Sequence, residues 1–208
     1  MKTVVFDFGA VLFHWQPVPV LQQVLPALAP DEAAARRLAA RIFDVLEPDS
    51  EWARFDLGLV EAEELAPRLA RRVGTAVEDM QRLIAAIPPL MHPLPDSVAL
   101  LQRLKAQGHR ACYLSNMPES YADYLTREHD VVPQFADGIF SARVGLAKPD
   151  DAIFELARER FGLVPAQTVF LDDHPKNVEA ARRHGWQAVL FESAAQAEAE
   201  LIATGWLG

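Results

Sequence analysis

The sequence predicts an α/β fold, a doubly wound parallel sheet that carries an inserted block of helices. Three observations lead there. The apolar runs VVFDF, ACYLS, TVFLDD and QAVLF are short and uninterrupted, without the alternation of a half-exposed strand, so they suit strands covered on both faces. From residue 96 onward such runs alternate with amphipathic helical patterns, the order that builds parallel sheets through helical crossovers. Between the first run and that regular part, residues 15–90 show helical periodicity and no strand candidate.

Taken in order, the first strand runs from Thr3 to Phe8. The helical patterns DEAAARRLAARIFDVL (31–46), VEAEELAPRLARRV (60–73) and AVEDMQRLIAAI (76–87) follow. A strand-to-helix connection usually takes about 2–6 residues, so this stretch reads as an insertion on the loop after strand one. PPLMHPLP (88–95) is expected to return the chain to the sheet, its prolines stiffening the hinge. The expected division is a core of residues 1–14 and 91–208 and a helical cap of residues 15–90. In the core, Asp96 is expected to cap a helix that stops at Gly108. ACYLS is the next strand, followed by a helix from Glu119 to His129, a brief strand at IFS and the loop GLAKPD. DAIFELARERFG then reads as a helix, TVFLDD as a strand and QAVLF as the last strand. PKNVEAARRHG, between those two strands, has Pro175 near its start and Gly185 near its end, the expected helix asymmetry. SAAQAEAELIATG closes the chain as a helix.

At 208 residues with half its positions apolar, the chain can bury a full core. A formal charge of −9 speaks against nucleic acid as a partner, because phosphate backbones need clustered Lys and Arg. A small anionic substrate remains compatible, since a metal ion and one lysine outweigh a global charge locally. Cys112 is the single cysteine, so no intramolecular disulfide forms, and a reducing cytoplasm is the expected location. The start MKTVVFDF lacks a signal-peptide pattern, and no apolar run approaches the roughly 18 residues of a membrane span. No membrane partner is expected, and monomer and homodimer both stay open.

In an open parallel sheet, ligands bind outside the carboxyl ends of the strands. Four predicted strand ends or the loops after them carry polar residues: Asp7, the Ser115-Asn116 pair, Lys148 in GLAKPD, and the Asp172-Asp173 pair. Carboxylates gathered at one edge repel unless a cation sits among them, and hard oxygen ligands select Mg²⁺. A hydroxyl, an amide and an ammonium nearby are what a phosphate requires. A carboxylate can itself be the nucleophile. Singly, each residue has a plain alternative as a helix cap, a turn former or a solvated lysine. Four clusters at successive strand ends are harder to ascribe to capping.

VVFDFGAVL, YLSN, GLAKPD and VFLDDHPKN stand in the order of four signatures of the haloacid dehalogenase-like hydrolase superfamily, and the chain resembles its branch with a helical cap after strand one. The resemblance implies a Rossmann-like core and roles for individual residues. Asp7 would be the nucleophile and a Mg²⁺ ligand, and Ser115 would hold the transferring phosphoryl group. Asn116 would shape the same pocket, and Lys148 would neutralise nucleophile and phosphate. Asp173 would ligate the metal directly, with Asp172 acting through water and Asn177 holding the acidic loop. A response-regulator receiver also combines Asp, Ser/Thr and Lys, but carries its acidic pair on the first strand rather than, as here, the last of the motif-bearing ones.

Gly9 departs from the family pattern. The usual phosphatase has a second Asp there, two residues after the nucleophile, to protonate the leaving oxygen and later activate water. The backbone carbonyl of Gly9 can still ligate Mg²⁺, but the proton carrier is missing. Three readings follow. The first is a D-x-G phosphatase, similar to sugar-phosphate phosphatases, acting on a small phosphorylated metabolite through an aspartyl-phosphate, with His14 or His174 as candidate proton donors. The second is a 2-haloacid dehalogenase, weakened because GAVLFHWQPVPV has no Arg to grip a substrate carboxylate. The third is a non-catalytic binding protein on the same fold. His14 and Trp15 at the cap junction are expected to line the substrate pocket. Trp52, Arg54 and Phe55 in EWARFDLG form either an aromatic-basic patch for substrate or plain cap core.

Overall fold

The computed structural model describes residues 2–43 and 50–208. Five strands, β1 (Thr3–Phe6), β2 (Arg110–Ser115), β3 (Asp137–Phe140), β4 (Thr168–Asp172) and β5 (Gln187–Leu190), form one sheet in the order β3-β2-β1-β4-β5. Every pairing is parallel, with Val4 in register with Ala111 on one side and with Val169 on the other. β1 is central. The chain moves outward from it through β2 to β3, then crosses to its other side for β4 and β5. That reversal places the switch point of the sheet at the carboxyl end of β1.

Burial explains the uninterrupted apolar runs. All four residues of β1 are buried, and successive side chains go to opposite faces. Val4 and Phe6 join an apolar cluster with Leu100, Leu101 and Leu104 of α6 (Pro95–Ala106) and Ala197 and Leu201 of α11 (Ala194–Ala203). Val5 joins a second cluster with Ile153, Phe154 and Ala157 of α9 (Asp151–Phe161) and Ala180 and Ala181 of α10 (Pro175–Arg183). The sheet is therefore covered by helices on both faces.

Between β1 and α6 the chain forms α1 (Pro17–Val24), α2 (Glu32–Ile42), α3 (Glu51–Asp56), α4 (Ala62–Val73) and α5 (Val77–Leu90). Asp31 starts α2 by accepting from the Ala34 N–H at 2.7 Å, and Ser50 starts α3 by accepting from Ala53 N–H at 3.1 Å. The end of the helix expected over 31–46 lies outside the described residues. Two corrections concern the prolines and Asp96. Pro88 and Pro89 lie within the last turn of α5 rather than in a separate hinge, so the return segment is only Met91–Leu94. Asp96 lies in the first turn of α6 behind Pro95 and caps nothing; Pro95 at the helix start needs no donor of its own. The outgoing and returning chains run side by side, with His14 N–H donating to His92 O and Leu94 N–H to Leu12 O, both at 2.8 Å.

Two hydrogen bonds and one close backbone approach join the inserted helices to α7 (Glu119–Glu128) and α8 (Ser141–Val144), beside their shared apolar core. Tyr121 of α7 donates its hydroxyl to the Ile84 carbonyl at 2.8 Å. Ser141, which opens α8, donates to the Asp56 carbonyl at the end of α3. Gly58 lies two residues beyond at φ +70°, and a Cβ on it would come within 2.9 Å of the Ala142 carbonyl oxygen. Gly58→Ala should therefore destabilise the chain by about 1–2 kcal/mol for the left-handed backbone alone, with more for the clash. Urea unfolding of the variant against wild type measures it, and an unchanged midpoint would show that this contact is not needed.

Candidate active site

The site forms where β2, β1 and β4 end side by side. Asp7 follows β1 and is held against β4 by donating its backbone N–H to the Leu171 carbonyl at 2.9 Å. Ser115 ends β2 and Asp172 ends β4. Lys148 enters from the loop between α8 and α9, and its ammonium lies 2.8 Å from Asp7 Oδ1 and 2.7 Å from Asp172 Oδ2. All four residues are buried.

Each member of this group is held by neighbours. Asn116 clamps the backbone of Lys148, accepting from its N–H and donating to its carbonyl, each at 2.9 Å. Asn116, expected to shape the phosphate pocket, thus positions the lysine. Asp172 is saturated: Oδ1 accepts from His174 N–H at 2.8 Å and Asn177 Nδ2 at 3.0 Å, while Oδ2 accepts from Lys148 and from Asn177 at 3.1 Å. Asn177 holds the acidic loop as expected. Ser115 makes only a long 3.5 Å approach to the Asn116 carbonyl, which leaves its hydroxyl available.

The charges are unbalanced. Carboxylate oxygens of Asp7, Asp172 and Asp173 lie within 4.8 Å of one another, against one ammonium. Burial, reinforced by Asp172 and Asp173, pushes the Asp7 carboxyl up to about 7 despite the opposing pull of Lys148. Asp173, with its side chain toward solvent, is also pushed up, by the protein surface beside it and by Asp172. For Lys148, burial alone would lower the pKa, but Asp172 and Asp7 outweigh it and hold the ammonium charged. No hydrogen bond among the described residues takes up the Gly9 carbonyl. A hard cation with oxygen ligands fits this donor set, because it would relieve the excess negative charge.

Not every expected residue meets the acids. Trp15 does come to the loop: a Cβ on Gly9 would touch its Cβ and Cδ1 at 3.7 Å. His14 is exposed, in a cleft that it lines with Trp15, Val20, Ile87 and Met91 and that contains none of the acidic residues. His174 uses Nδ1 to cap α10, accepting from Lys176 N–H at 3.3 Å. Trp52 and Phe55 are buried, so they are core of the inserted helices and not a substrate-facing patch.

One residue at the site was missed. Asp56 ends α3 with 8 % of its surface exposed, and its carboxyl accepts no hydrogen bond among the described residues. Burial first, then the charge on Asp7, push it up to about 8. In the sequence it looks like one more polar residue before the Leu57-Gly58 turn, and only the packing of α3 against α8 shows that it is buried.

The sesquiterpene phosphatase astK of Aspergillus oryzae is 28 % identical over 185 residues, covering 88 % of this chain and 86 % of that protein. A family enzyme of Bacteroides thetaiotaomicron solved with magnesium and inorganic phosphate shares the fold, with a TM-score of 0.67 at 21 % identity over 91 % of this chain and 93 % of the other. The L-2-haloacid dehalogenase of Xanthobacter autotrophicus also shares it, with a TM-score of 0.67 at 20 % identity over 99 % and 83 %. Residues 1–185 match the haloacid dehalogenase-like hydrolase family, the same span that carries the strand-end acids, the serine and the lysine, and this chain belongs to that family.

Proposed function

We propose that this hydrolase is a magnesium-dependent phosphomonoesterase acting on a small phosphorylated metabolite, sugar phosphates among them, through an aspartyl-phosphate on Asp7. The observation that carries it is the Asp7–Lys148–Asp172 group at the switch point, with Ser115 at the end of the neighbouring strand making only one long hydrogen bond. The 28 % identical phosphatase relative supports the same reading. Residues 15–90 are read as the cap over this site, consistent with the burial of Asp7.

Asp7, Asp173 and the Gly9 carbonyl would hold magnesium, with Asp172 behind them. Bound there, it supplies positive charge that keeps Asp7 ionised and offsets charge on the phosphoryl oxygens. In the first half-reaction an Asp7 carboxylate oxygen bonds to phosphorus and the bond to the leaving oxygen breaks. In the second, water attacks the same phosphorus and releases inorganic phosphate and free Asp7. Lys148 keeps Asp7 oriented and pairs with negative charge on the phosphoryl group, and Ser115 donates a hydrogen bond to it.

Asp7→Asn should abolish phosphate release from a panel of phosphorylated metabolites while the circular dichroism spectrum stays native; retained turnover would exclude Asp7 as nucleophile. EDTA should silence the wild-type enzyme and magnesium restore it. Metal-independent halide release from 2-haloacids would instead identify a dehalogenase, and release of neither a binding protein.

A stability measurement tests the electrostatics separately. Asp7 has a folded pKa of about 7 against an ordinary value of 3.8, so between those limits the folded chain holds a proton that the unfolded chain has lost. The ionised form is penalised only in the folded state, and this cost grows as pH rises through that window. In EDTA, Asp7→Asn should therefore be more stable than wild type by a margin that opens from about pH 4 to about pH 7. Magnesium should shrink or reverse it. A margin independent of pH in urea unfolding would contradict the unbalanced charge.

A further inference from the structure

Gly9 leaves the Asp7 loop without a proton carrier, and the space beside it is taken. The Trp15 indole lies against Gly9, with the nearest ring atom 3.7 Å from where a Cβ would stand. From Trp15 a line of edge-on aromatic contacts leads away through Phe43, Trp52 and Phe55, with ring centroids 5.1, 4.6 and 5.7 Å apart. Asp56 follows directly on Phe55. Its position is fixed from both sides: its carbonyl accepts from Ser141 Oγ, and Ser141 Oγ in turn accepts from Met117 N–H at 2.8 Å, just after the Ser115-Asn116 pair. Gly58 closes the same contact against Ala142. The end of α3 is thereby joined to the loop that follows Ser115.

The other ionisable groups around Asp7 are already committed. Lys148 is divided between two carboxylates and Asp172 has its four hydrogen bonds. Asp173 is the exposed member of the metal set. His14 lies in a separate cleft and His174 caps a helix. Asp56 is the buried carboxyl among the described residues with neither an ion pair nor a hydrogen bond. Asp7 is the foremost charge acting on it, followed by Lys148.

Resting on the phosphatase reading above, we propose that Asp56, carried in from the inserted helices, is the general acid and base that Gly9 does not supply. As Asp7 oxygen bonds to phosphorus and the phosphorus–oxygen bond of the ester breaks, the Asp56 carboxyl gives its proton to the leaving alcohol oxygen. As water then attacks the aspartyl-phosphate, the Asp56 carboxylate takes the water proton, and Asp7 and inorganic phosphate are freed. One alcohol and one phosphate leave for one ester and one water consumed, and both carboxyls end as they began. Burial favours the protonated form of the Asp56 carboxyl, the form the first half-reaction requires.

The test compares Asp56→Asn with wild type on an alkyl phosphate, whose alcohol needs a proton, and on p-nitrophenyl phosphate, whose phenolate does not. Loss of general acid catalysis should lower alkyl phosphate turnover about 10²–10⁴-fold. The first-turnover burst of p-nitrophenolate should persist, followed by slow phosphate release because the base is also gone. Urea unfolding and competitive binding of orthophosphate report the fold, and Asp56→Ser gives the same readouts if the asparagine variant does not fold. Equally diminished first-turnover release of alcohol and p-nitrophenolate, or no loss on either substrate, would overturn the role of Asp56 while leaving the phosphatase reading intact. No phosphate release from wild type on any ester would overturn both.

Discussion

The site depends on one buried ammonium. Lys148 sits between Asp7 and Asp172, and without it two carboxylates would be enclosed with no counter-charge. Its own burial is tolerated only because both partners are within hydrogen-bonding distance and because Asn116 fixes the backbone from which it extends. The surrounding polar groups read as consequences of that contact. Asn177 and the His174 N–H take up the remaining lone pairs of Asp172, so that this carboxylate is spent on structure. Asp7 keeps one oxygen free of Lys148, and Asp173 faces outward; these are the two carboxylates left with capacity for a metal and a substrate.

The arrangement leaves negative charge uncompensated by design of position. One lysine faces three carboxylates within reach, and Asp56 adds a fourth acidic group under the insertion. In a dry environment this excess raises the proton affinity of Asp7 and Asp56. The same excess is what a divalent cation would neutralise, and it is also what keeps one carboxyl protonated near neutral pH. A single electrostatic imbalance thus suits two tasks that need opposite protonation states. Position divides them: Asp7 is one of the three clustered carboxylates that could hold a cation, and Asp56 lies outside that cluster on a different element.

The inserted helices contribute to the site through packing. Their apolar side chains are continuous with the cluster on one face of the sheet, and Tyr121 and Ser141 bridge the two parts by hydrogen bonds. Trp52 and Phe55, whose spacing admitted either a substrate patch or a core, are core, and their burial is what carries Asp56 inward. The hydrogen-bonded segments Leu12–His14 and His92–Leu94 connect the insertion to the sheet.

The existence of the strands, their parallel pairing, the helical insertion and the four polar clusters were legible in the sequence, because each rests on local pattern. The strand limits were not, since β1 stops at Phe6 rather than Phe8 and the brief strand runs over Asp137–Phe140, with Ser141 already in a helix. The absence of a carboxyl at Gly9 was legible as well. The division of labour within the site was not. Asn116 and Asp172 carry the residue types of a ligand pocket, yet their hydrogen bonds go to the protein, and that follows from where the Lys148 loop lies relative to β2 and β4. Asp56 sits in an unremarkable helical turn, and its burial arises from contact between α3 and α8, segments about 85 residues apart in the chain. Sequence alone determined that Asp7 lacks its usual partner two residues on; only the tertiary structure decided that a distant carboxyl, Asp56, is buried where the insertion packs on Ser141.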